Sequence, residues 1–262
     1  MIRIAHLSDL HFGRSLPELE EPLLRMVNSL SPDLVVISGD FTQRARRGQF
    51  ARAREFVARI NRPVLAIPGN HDTPLDNLAL RMLRPFGRYR EAINDDLEPV
   101  FEDDRLKAVG VNTVNRFAWQ RGRIPGRTIA RLCEEFGEAG ERLRVAVMHH
   151  PLEHGPDVGK SLMDGAGDAL EGLRACGADL VLSGHLHLGS AAPFSAVPGV
   201  LFVQAGTGLS SRLRGERNMF NLIEGERGWL SIARYEAHPA GRFDETERKR
   251  FVRMRGDWSE TT

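Results

Sequence analysis

Five apolar runs of this chain each lead into a histidine, an aspartate or an asparagine, and this recurrence restricts the possible folds more than any other feature. The runs are strand-like in length and composition, and they lie at 2–7, 33–40, 62–70, 143–149 and 178–185. Segments with a helical spacing of apolar residues lie between or beside them, at 17–30, 49–60, 76–89, 127–137 and 165–176. Such alternation predicts an α/β fold with helices outside its sheets.

The remaining segments predict further strands and one more helix. A hairpin over 100–112 turns at Asp103 and Asp104, and β-like runs lie near 200–204, 219–224 and 229–235. The polar segment 244–254 reads as a short closing helix. Because no linker or internal repeat interrupts the 262 residues, we expect a single domain over 1–262. Its motif-bearing core is 1–190, and the C-terminal strands and short helix occupy 191–262.

Charge and hydropathy exclude several classes of function. The net charge is +1, which gives no global attraction to nucleic acid or to an anionic membrane. No apolar run approaches the roughly 20 residues of a membrane span, and the N-terminus lacks the features of a signal peptide. The two cysteines lie far apart in the sequence, without metal-ligand spacing. We therefore expect a cytoplasmic protein.

The polar residues that follow the five runs form a candidate metal centre. Each motif alone has an ordinary explanation, such as a turn or a surface ion pair. Together they would gather at one rim, because ligands of open α/β sheets bind outside the carboxyl ends of the strands. Imidazole, carboxylate and amide ligands without cysteine favour Zn, Mn, Fe or Co over Ca or Mg. Two such ions need a bridging carboxylate, and we expect Asp40 to supply it. The candidate metal ligands are Asp9, His11, Asp40, Asn70, His149, His185 and His187.

The motifs in this order resemble those of the calcineurin-like metallophosphoesterases. The stretches HLSDLHFG, SGDFTQRAR, PGNHD, MHHP and SGHLHLG carry the resemblance. Within this family, the motifs resemble most closely those of the bacterial class III cyclic-nucleotide phosphodiesterases and related glycerophosphodiesterases. The resemblance implies a four-layer α-β-β-α sandwich of two packed mixed sheets. It also implies one metal ion on Asp9, His11, Asp40 and His187, a second on Asp40, Asn70, His149 and His185, and possible homodimers.

The resemblance gives His71 and Asp72 catalytic roles. His71 would face the substrate phosphate and the leaving group without binding metal, and Asp72 could orient its imidazole ring. In the implied mechanism, a hydroxide held by the two metal ions attacks phosphorus. Protonated His71 then donates to the departing alkoxide.

Small phosphodiesters are the leading substrate class: a cyclic nucleotide, a glycerophosphodiester, or an aryl or alkyl diester. GDFTQ and GNHD make a phosphoprotein phosphatase an unfavourable interpretation. The alternatives are a nuclease, a pyrophosphatase of nucleotides or lipid precursors, and a metal-supported interaction scaffold. We expect the active-site cap in 151–163 and 114–125. Arg14, Arg44, Asn112, Asn115 and His150 receive no assigned role.

Overall fold

The fold is described from a computed structural model, which covers residues 1–154 and 161–261. Within these ranges the strands are β1 (Ile2–Leu7), β2 (Leu34–Ile37), β3 (Val64–Ala66), β4 (Val100–Glu102), β5 (Leu106–Val111), β6 (Leu143–Met148), β7 (Leu180–Ser183), β8 (Ser190–Pro193), β9 (Leu201–Gln204), β10 (Met219–Glu226), β11 (Trp229–His238), β12 (Arg242–Met254) and β13 (Asp257–Thr261). The α-helices are α1 (Pro17–Ser29), α2 (Arg47–Ala58), α3 (Leu78–Leu83), α4 (Gly87–Ala92), α5 (Gly126–Gly137) and α6 (Ala166–Ala175). A 3₁₀ turn spans Asn70–Asp72.

Two mixed sheets contain these strands. The first has the order β13-β12-β11-β10-β1-β2-β3, in which β1, β2 and β3 are parallel and the other neighbours are antiparallel. The second has the order β4-β5-β6-β7-β9-β8, with β5, β6, β7 and β9 parallel. The parallel strands are short apolar runs without alternation, as expected for strands covered on both faces.

Three groups of buried side chains define four layers. The central core joins the inner faces of both sheets and includes Ile4, Val36, Val145 and Leu182. A second core packs α1 and α2 on the outer face of the first sheet, and a third packs α5 and α6 on the outer face of the second. The predicted α-β-β-α sandwich is therefore confirmed.

The predicted closing helix over 244–254 is wrong, because this segment lies within β12. Its arginines and glutamates favour a helix locally, but pairing along β11 and β13 overrides that propensity. The pairing skips Thr246, since Glu245 faces Tyr235 and Glu247 faces Arg234. This bulge reverses the side-chain alternation. Phe243 consequently packs under the helices, whereas Phe251 packs between the sheets.

The single helix predicted over 76–89 is two short helices. Helix α3 ends at Leu83 and α4 begins at Gly87, and Pro85 lies between them. Proline lacks the backbone N–H that a continuous helix needs, and it disfavours helical geometry in the residue before it. The strands β8 and β13 were not predicted, because each is a short edge strand with little apolar pattern.

Within the part of the chain that the structure describes, no helix combines the length and the apolar character needed to cross a membrane.

Trp258 anchors the last hairpin to the central core, which leads to a prediction about stability. The residue is 2% exposed, and its Nε1 donates to the Asp179 carbonyl at 3.1 Å. We expect Trp258→Ala to lower the free energy of unfolding by about 3–5 kcal/mol, because it leaves a large cavity. Urea denaturation followed by circular dichroism measures this change. Trp229→Ala is the matched control, since Trp229 is 37% exposed, and a loss as large there would contradict the assignment.

Candidate metal centre

The strand ends of both sheets meet at one edge of the sandwich. Asp9 follows β1 and His149 follows β6, so one comes from each sheet. The backbone N–H of His185 donates to Asp9 Oδ2 at 2.9 Å, and His149 Nδ1 donates to the Ser38 carbonyl at 2.8 Å. The two sheets are therefore joined by hydrogen bonds at the residues that the sequence singled out.

The first group of donor atoms consists of Asp9 Oδ1, His11 Nε2, His187 Nε2 and Asp40 Oδ2. Asp9 Oδ1 lies 3.4 Å from His11 Nε2 and 3.2 Å from His187 Nε2. The two imidazole nitrogens are 3.1 Å apart, and Asp40 Oδ2 lies 3.6 Å from His11 Nε2. All four side chains are buried.

The second group shares the same oxygen of Asp40. Asp40 Oδ2 lies 3.4 Å from His149 Nε2, which is 3.2 Å from Asn70 Oδ1. The same amide oxygen lies 3.0 Å from His185 Nδ1. Asp40 therefore stands between the two groups, as a bridging ligand must.

Both groups fit transition-metal ions. Metal–ligand bonds of about 2.0–2.1 Å place neighbouring donors about 3.0–3.4 Å apart, which matches most of these separations. Asp9 Oδ1 accepts no hydrogen bond from the described residues although it is buried. At most one proton can lie between the nitrogens of His11 and His187, so uncompensated lone pairs converge there. Cations would satisfy these atoms.

Hydrogen bonds outside the two groups fix the orientation of the donors. His187 Nδ1 donates to the Arg212 carbonyl at 2.9 Å, which directs its Nε2 inward. Ser8 Oγ donates to Asp9 Oδ2 at 2.7 Å. Such partners orient metal ligands and set their tautomers.

Five of the seven expected ligands have left-handed backbone conformations. The φ angles are 53° at Asp9, 48° at His11, 54° at Asp40, 73° at His185 and 60° at His187. Non-glycine residues rarely adopt positive φ, and such strain concentrates at functional sites. At each of these positions the backbone turns sharply after its strand, and the side chain is directed toward the centre.

The carboxylates and histidines of the centre shift one another's pKa values. Burial opposes ionisation of Asp9 and Asp40, but the nearby His187 and His149 respectively hold both carboxyl pKa values well below their usual range. Burial also disfavours the charged form of His149, yet the charge and hydrogen bond of Asp40 raise the pKa of that imidazole to about 9. Both carboxylates therefore stay ionised near neutral pH and offer negative charge to a cation.

His71 lies beside the donor atoms but outside both groups. Its ring meets that of His11 edge-on at 5.0 Å, and its Nδ1 donates to the Gln43 carbonyl at 2.9 Å. Its backbone N–H donates to Asp40 Oδ1 at 2.8 Å. Burial lowers the pKa of the imidazole, and the charge of Asp40 opposes that shift. The side chain lines an open pocket of about 580 Å³.

The structure does not support the expectation that Asp72 orients His71. Among the described residues, the buried carboxylate accepts hydrogen bonds from the backbone of Gly69, Phe41 and Thr42. Gln43 holds the imidazole instead, because the turn directs Asp72 inward while His71 faces the pocket. Burial and the charge of Asp40 raise the pKa of Asp72 to about 7. Through these hydrogen bonds, Asp72 joins the loop after β2 to the loop after β3.

The residues without an assigned role fall in different places. His150 forms a close three-histidine group with His149 and His185, and its Nδ1 contacts Thr113 Oγ1 at 2.8 Å. Arg14 and Arg44 line the pocket beside His71. Asn112 and Asn115 line a separate pocket.

Part of the expected cap lies at the pocket. Trp119 and Gln120, from 114–125, line the pocket, and Asn70 Nδ2 donates to the Trp119 carbonyl at 3.3 Å. Of the other expected segment, 151–163, residues 155–160 lie outside the described residues. Arg212 also lines the pocket, and sequence reasoning missed it because no motif surrounds it.

Proton competition at His149 predicts how metal binding depends on pH. Without metal, a pKa of about 9 keeps this imidazole protonated at neutral pH, so binding must release the proton. We expect the apparent affinity for Mn²⁺ to rise by up to about tenfold per pH unit between about pH 6 and 8. Calorimetry in buffers of different ionisation enthalpy measures both the affinity and the released protons. An affinity independent of pH over this interval would contradict the prediction.

Several curated proteins align with this chain. GpdQ of Enterobacter lignolyticus, a glycerophosphodiester phosphodiesterase, is 26% identical over 159 residues, which is 56% of each chain. LpxG of Chlamydia trachomatis, a UDP-2,3-diacylglucosamine pyrophosphatase, is 26% identical over 219 residues, or 71% of this chain and 63% of that protein. A probable cyclic nucleotide phosphodiesterase of Synechococcus is 28% identical over 163 residues, covering 60% and 58%. The aligned part thus spans less than two thirds of each relative.

A solved structure and a family profile extend these similarities. The dimetal phosphatase of Danio rerio superposes with a TM-score of 0.69 at 12% identity, covering 96% of this chain and 98% of that one, which shows a shared fold. The profile of the calcineurin-like phosphoesterases matches residues 2–189 and so includes all five motifs. Because the profile matches well over half of the residues, and the matched part contains clusters of histidine and aspartate that could hold metal ions, the chain belongs to the calcineurin-like phosphoesterase family.

Proposed function

We propose that this metal-dependent phosphoester hydrolase acts on small phosphodiesters through a dinuclear centre. The observation that carries the proposal is the position of Asp40 Oδ2, which lies 3.6 Å from His11 Nε2 and 3.4 Å from His149 Nε2. One oxygen facing two donor groups is the arrangement that a pair of closely spaced ions requires. The aligned glycerophosphodiester and cyclic nucleotide phosphodiesterases support the diester class.

Different residues of the chain would hold the two ions and orient their ligands. When bound, the ions supply Lewis acidity and lower the pKa of coordinated water. Asp9, His11, Asp40 and His187 would hold one ion, and Asp40, Asn70, His149 and His185 the other. The hydrogen bonds from Ser8 to Asp9 and from His187 to the Arg212 carbonyl keep these ligands in place before substrate arrives. Such preorganisation lowers the cost of stabilising charge as the reaction proceeds.

His71 would manage the proton of the leaving group. With Nδ1 donating to the Gln43 carbonyl, Nε2 points away from that contact and is available to substrate. Because burial lowers the imidazole pKa, the ring is neutral in the free protein. An anionic substrate would raise this pKa, so that His71 takes up a proton on binding and donates it to the departing oxygen.

Pyrophosphate cleavage in a lipid-linked nucleotide is a second candidate. Three large apolar side chains are exposed on α3 and on the segment 114–125: Leu83 is 81% exposed, Phe117 72% and Trp119 57%. The two segments that carry them are joined, because the Arg81 guanidinium donates hydrogen bonds to the carbonyls of 115, 116 and 118 and lies 5.6 Å from the Trp119 ring. An exposed apolar surface suits an acyl chain. The LpxG alignment covers the largest share of this chain among the relatives described above.

Two substitutions separate metal binding from proton transfer. We expect Asp40→Asn to abolish binding of at least one ion, since the bridge is lost. We expect His71→Ala to retain both ions while kcat falls about 10²–10⁴-fold, the usual contribution of acid–base catalysis. Elemental analysis of the purified variants, with kinetics on bis(p-nitrophenyl) phosphate, measures both effects. His238→Ala is the control, because His238 is exposed. A His71→Ala protein that lacks an ion would refute the role of His71.

A substrate panel tests the reaction class. After loading with Mn²⁺, Fe²⁺ or Zn²⁺, we expect kcat/KM for bis(p-nitrophenyl) phosphate to exceed that for p-nitrophenyl phosphate. 3′,5′-Cyclic AMP and UDP-2,3-diacylglucosamine complete the panel. A strong preference for the monoester would overturn the diester proposal, and exclusive cleavage of the pyrophosphate compound would establish the second candidate.

A further inference from the structure

The pocket beside His71 carries more positive charge than one phosphodiester needs. Four arginines line its volume of about 580 Å³, namely Arg14, Arg44, Arg46 and Arg212. No aspartate or glutamate is among its lining residues in the described part of the chain. This concentration is local, because the net charge of the whole chain is +1.

Three of the four guanidinium groups have no carboxylate partner among the described residues. Arg46 alone forms an ion pair, with Asp76 at 3.5 Å on the exposed rim. Arg14, Arg44 and Arg212 form none within 1–154 and 161–261. Like charges gathered without counter-charges repel one another, and an anion that enters the pocket relieves that repulsion.

Backbone hydrogen bonds tie Arg14 and Arg212 to the candidate metal centre. The Arg14 N–H donates to the His11 carbonyl at 2.8 Å, and the Arg212 carbonyl accepts from His187 Nδ1 at 2.9 Å. The Ser211 N–H in turn donates to the Arg14 carbonyl at 2.8 Å, which joins the two loops. The backbone of each of these two arginines is therefore fixed relative to a candidate metal-ligand histidine.

Arg44 is fixed to the other side of the pocket. It follows Gln43, whose carbonyl accepts from His71 Nδ1 at 2.9 Å, and its own N–H donates to Gln49 Oε1 at 2.9 Å. Arg44 therefore lines the same pocket as His71, whose ring lies 5.0 Å from that of His11. The arginine-lined pocket is thus an extension of the catalytic cleft.

The negative charge of the substrate must be compared with the positive charge that surrounds it in the cleft and its extension. The phosphoryl group under attack carries one negative charge as a diester, and the metal ions and His71 suffice to meet it. Arginine recognises phosphate through paired, charge-assisted hydrogen bonds. We propose that Arg14, Arg44 and Arg212 bind a second phosphate group of the same substrate, an inference that rests on the proposed phosphodiesterase function. The preferred substrate is then a phosphodiester that carries a further phosphate, rather than a singly charged cyclic nucleotide.

A matched pair of substrates tests the inference on the metal-loaded enzyme. Thymidine 5′-(p-nitrophenyl phosphate) and its 3′-phosphorylated form share one scissile diester and differ only in the second phosphate. We expect kcat/KM to be at least about tenfold higher for the 3′-phosphorylated compound, as charge-assisted hydrogen bonds typically give. The double variant Arg44→Ala/Arg212→Ala should remove most of this preference, and Arg44→Lys/Arg212→Lys should restore part of it.

Binding and a control variant complete the test. Adenosine 3′,5′-bisphosphate should bind the wild-type holoenzyme more tightly than adenosine 5′-monophosphate does, and the double variant should lose that difference. Arg54→Ala is the matched control, since Arg54 is an exposed arginine of α2 outside the pocket lining. Equal kcat/KM for the two thymidine compounds in the wild type, or an equal loss on both in the double variant, would overturn the inference. Failure to hydrolyse bis(p-nitrophenyl) phosphate as well would instead refute the proposed function.

Discussion

The candidate site depends on the contacts of one carboxylate, that of Asp40. Its Oδ2 faces both donor groups, while its Oδ1 accepts the backbone N–H of His71. This position requires a close approach of two loops, because a Cβ at Gly69 would lie 2.2 Å from Asp40 Oδ1. Gly39 is equally constrained, with φ of 97° and a virtual Cβ only 2.7 Å from His149 Nδ1. The glycines before Asp40 and Asn70 are therefore requirements of the centre.

The surrounding fold holds this centre against its own strain. Left-handed φ values at residues such as Asp9 and His187 cost of the order of 1–3 kcal/mol each and persist only when neighbouring structure fixes them. Here the two sheets fix them, through the His185 N–H on Asp9 Oδ2 and the His149 imidazole on the Ser38 carbonyl. The apolar layer between the sheets sets the distance over which those hydrogen bonds form. The spacing between the two sheets is therefore part of what positions the site.

The two candidate reactions differ in what lies beyond the attacked phosphorus. A plain diester would use the metal donors and His71, and would leave the arginines and the apolar surface near Trp119 without a ligand. In our proposal, a substrate with a second phosphate would engage the arginines, and one with an acyl chain would also engage the apolar surface. The same centre can serve either chemistry, because the surroundings of the cleft, rather than the metal ligands, distinguish the substrates.

Contiguous sequence patterns predicted the alternation of strands and helices and the types of the candidate ligands. These features can be predicted locally, because apolar periodicity and the polar residues at strand ends each lie within one short segment of the sequence. The sequence did not reveal β12, where helix-favouring arginines and glutamates pair with β11 and β13. It also misassigned the partner of His71, since Gln43 rather than Asp72 holds the ring. Tertiary structure alone placed Arg212 beside Arg14 and Arg44, because long-range backbone contacts bring together loops nearly two hundred residues apart.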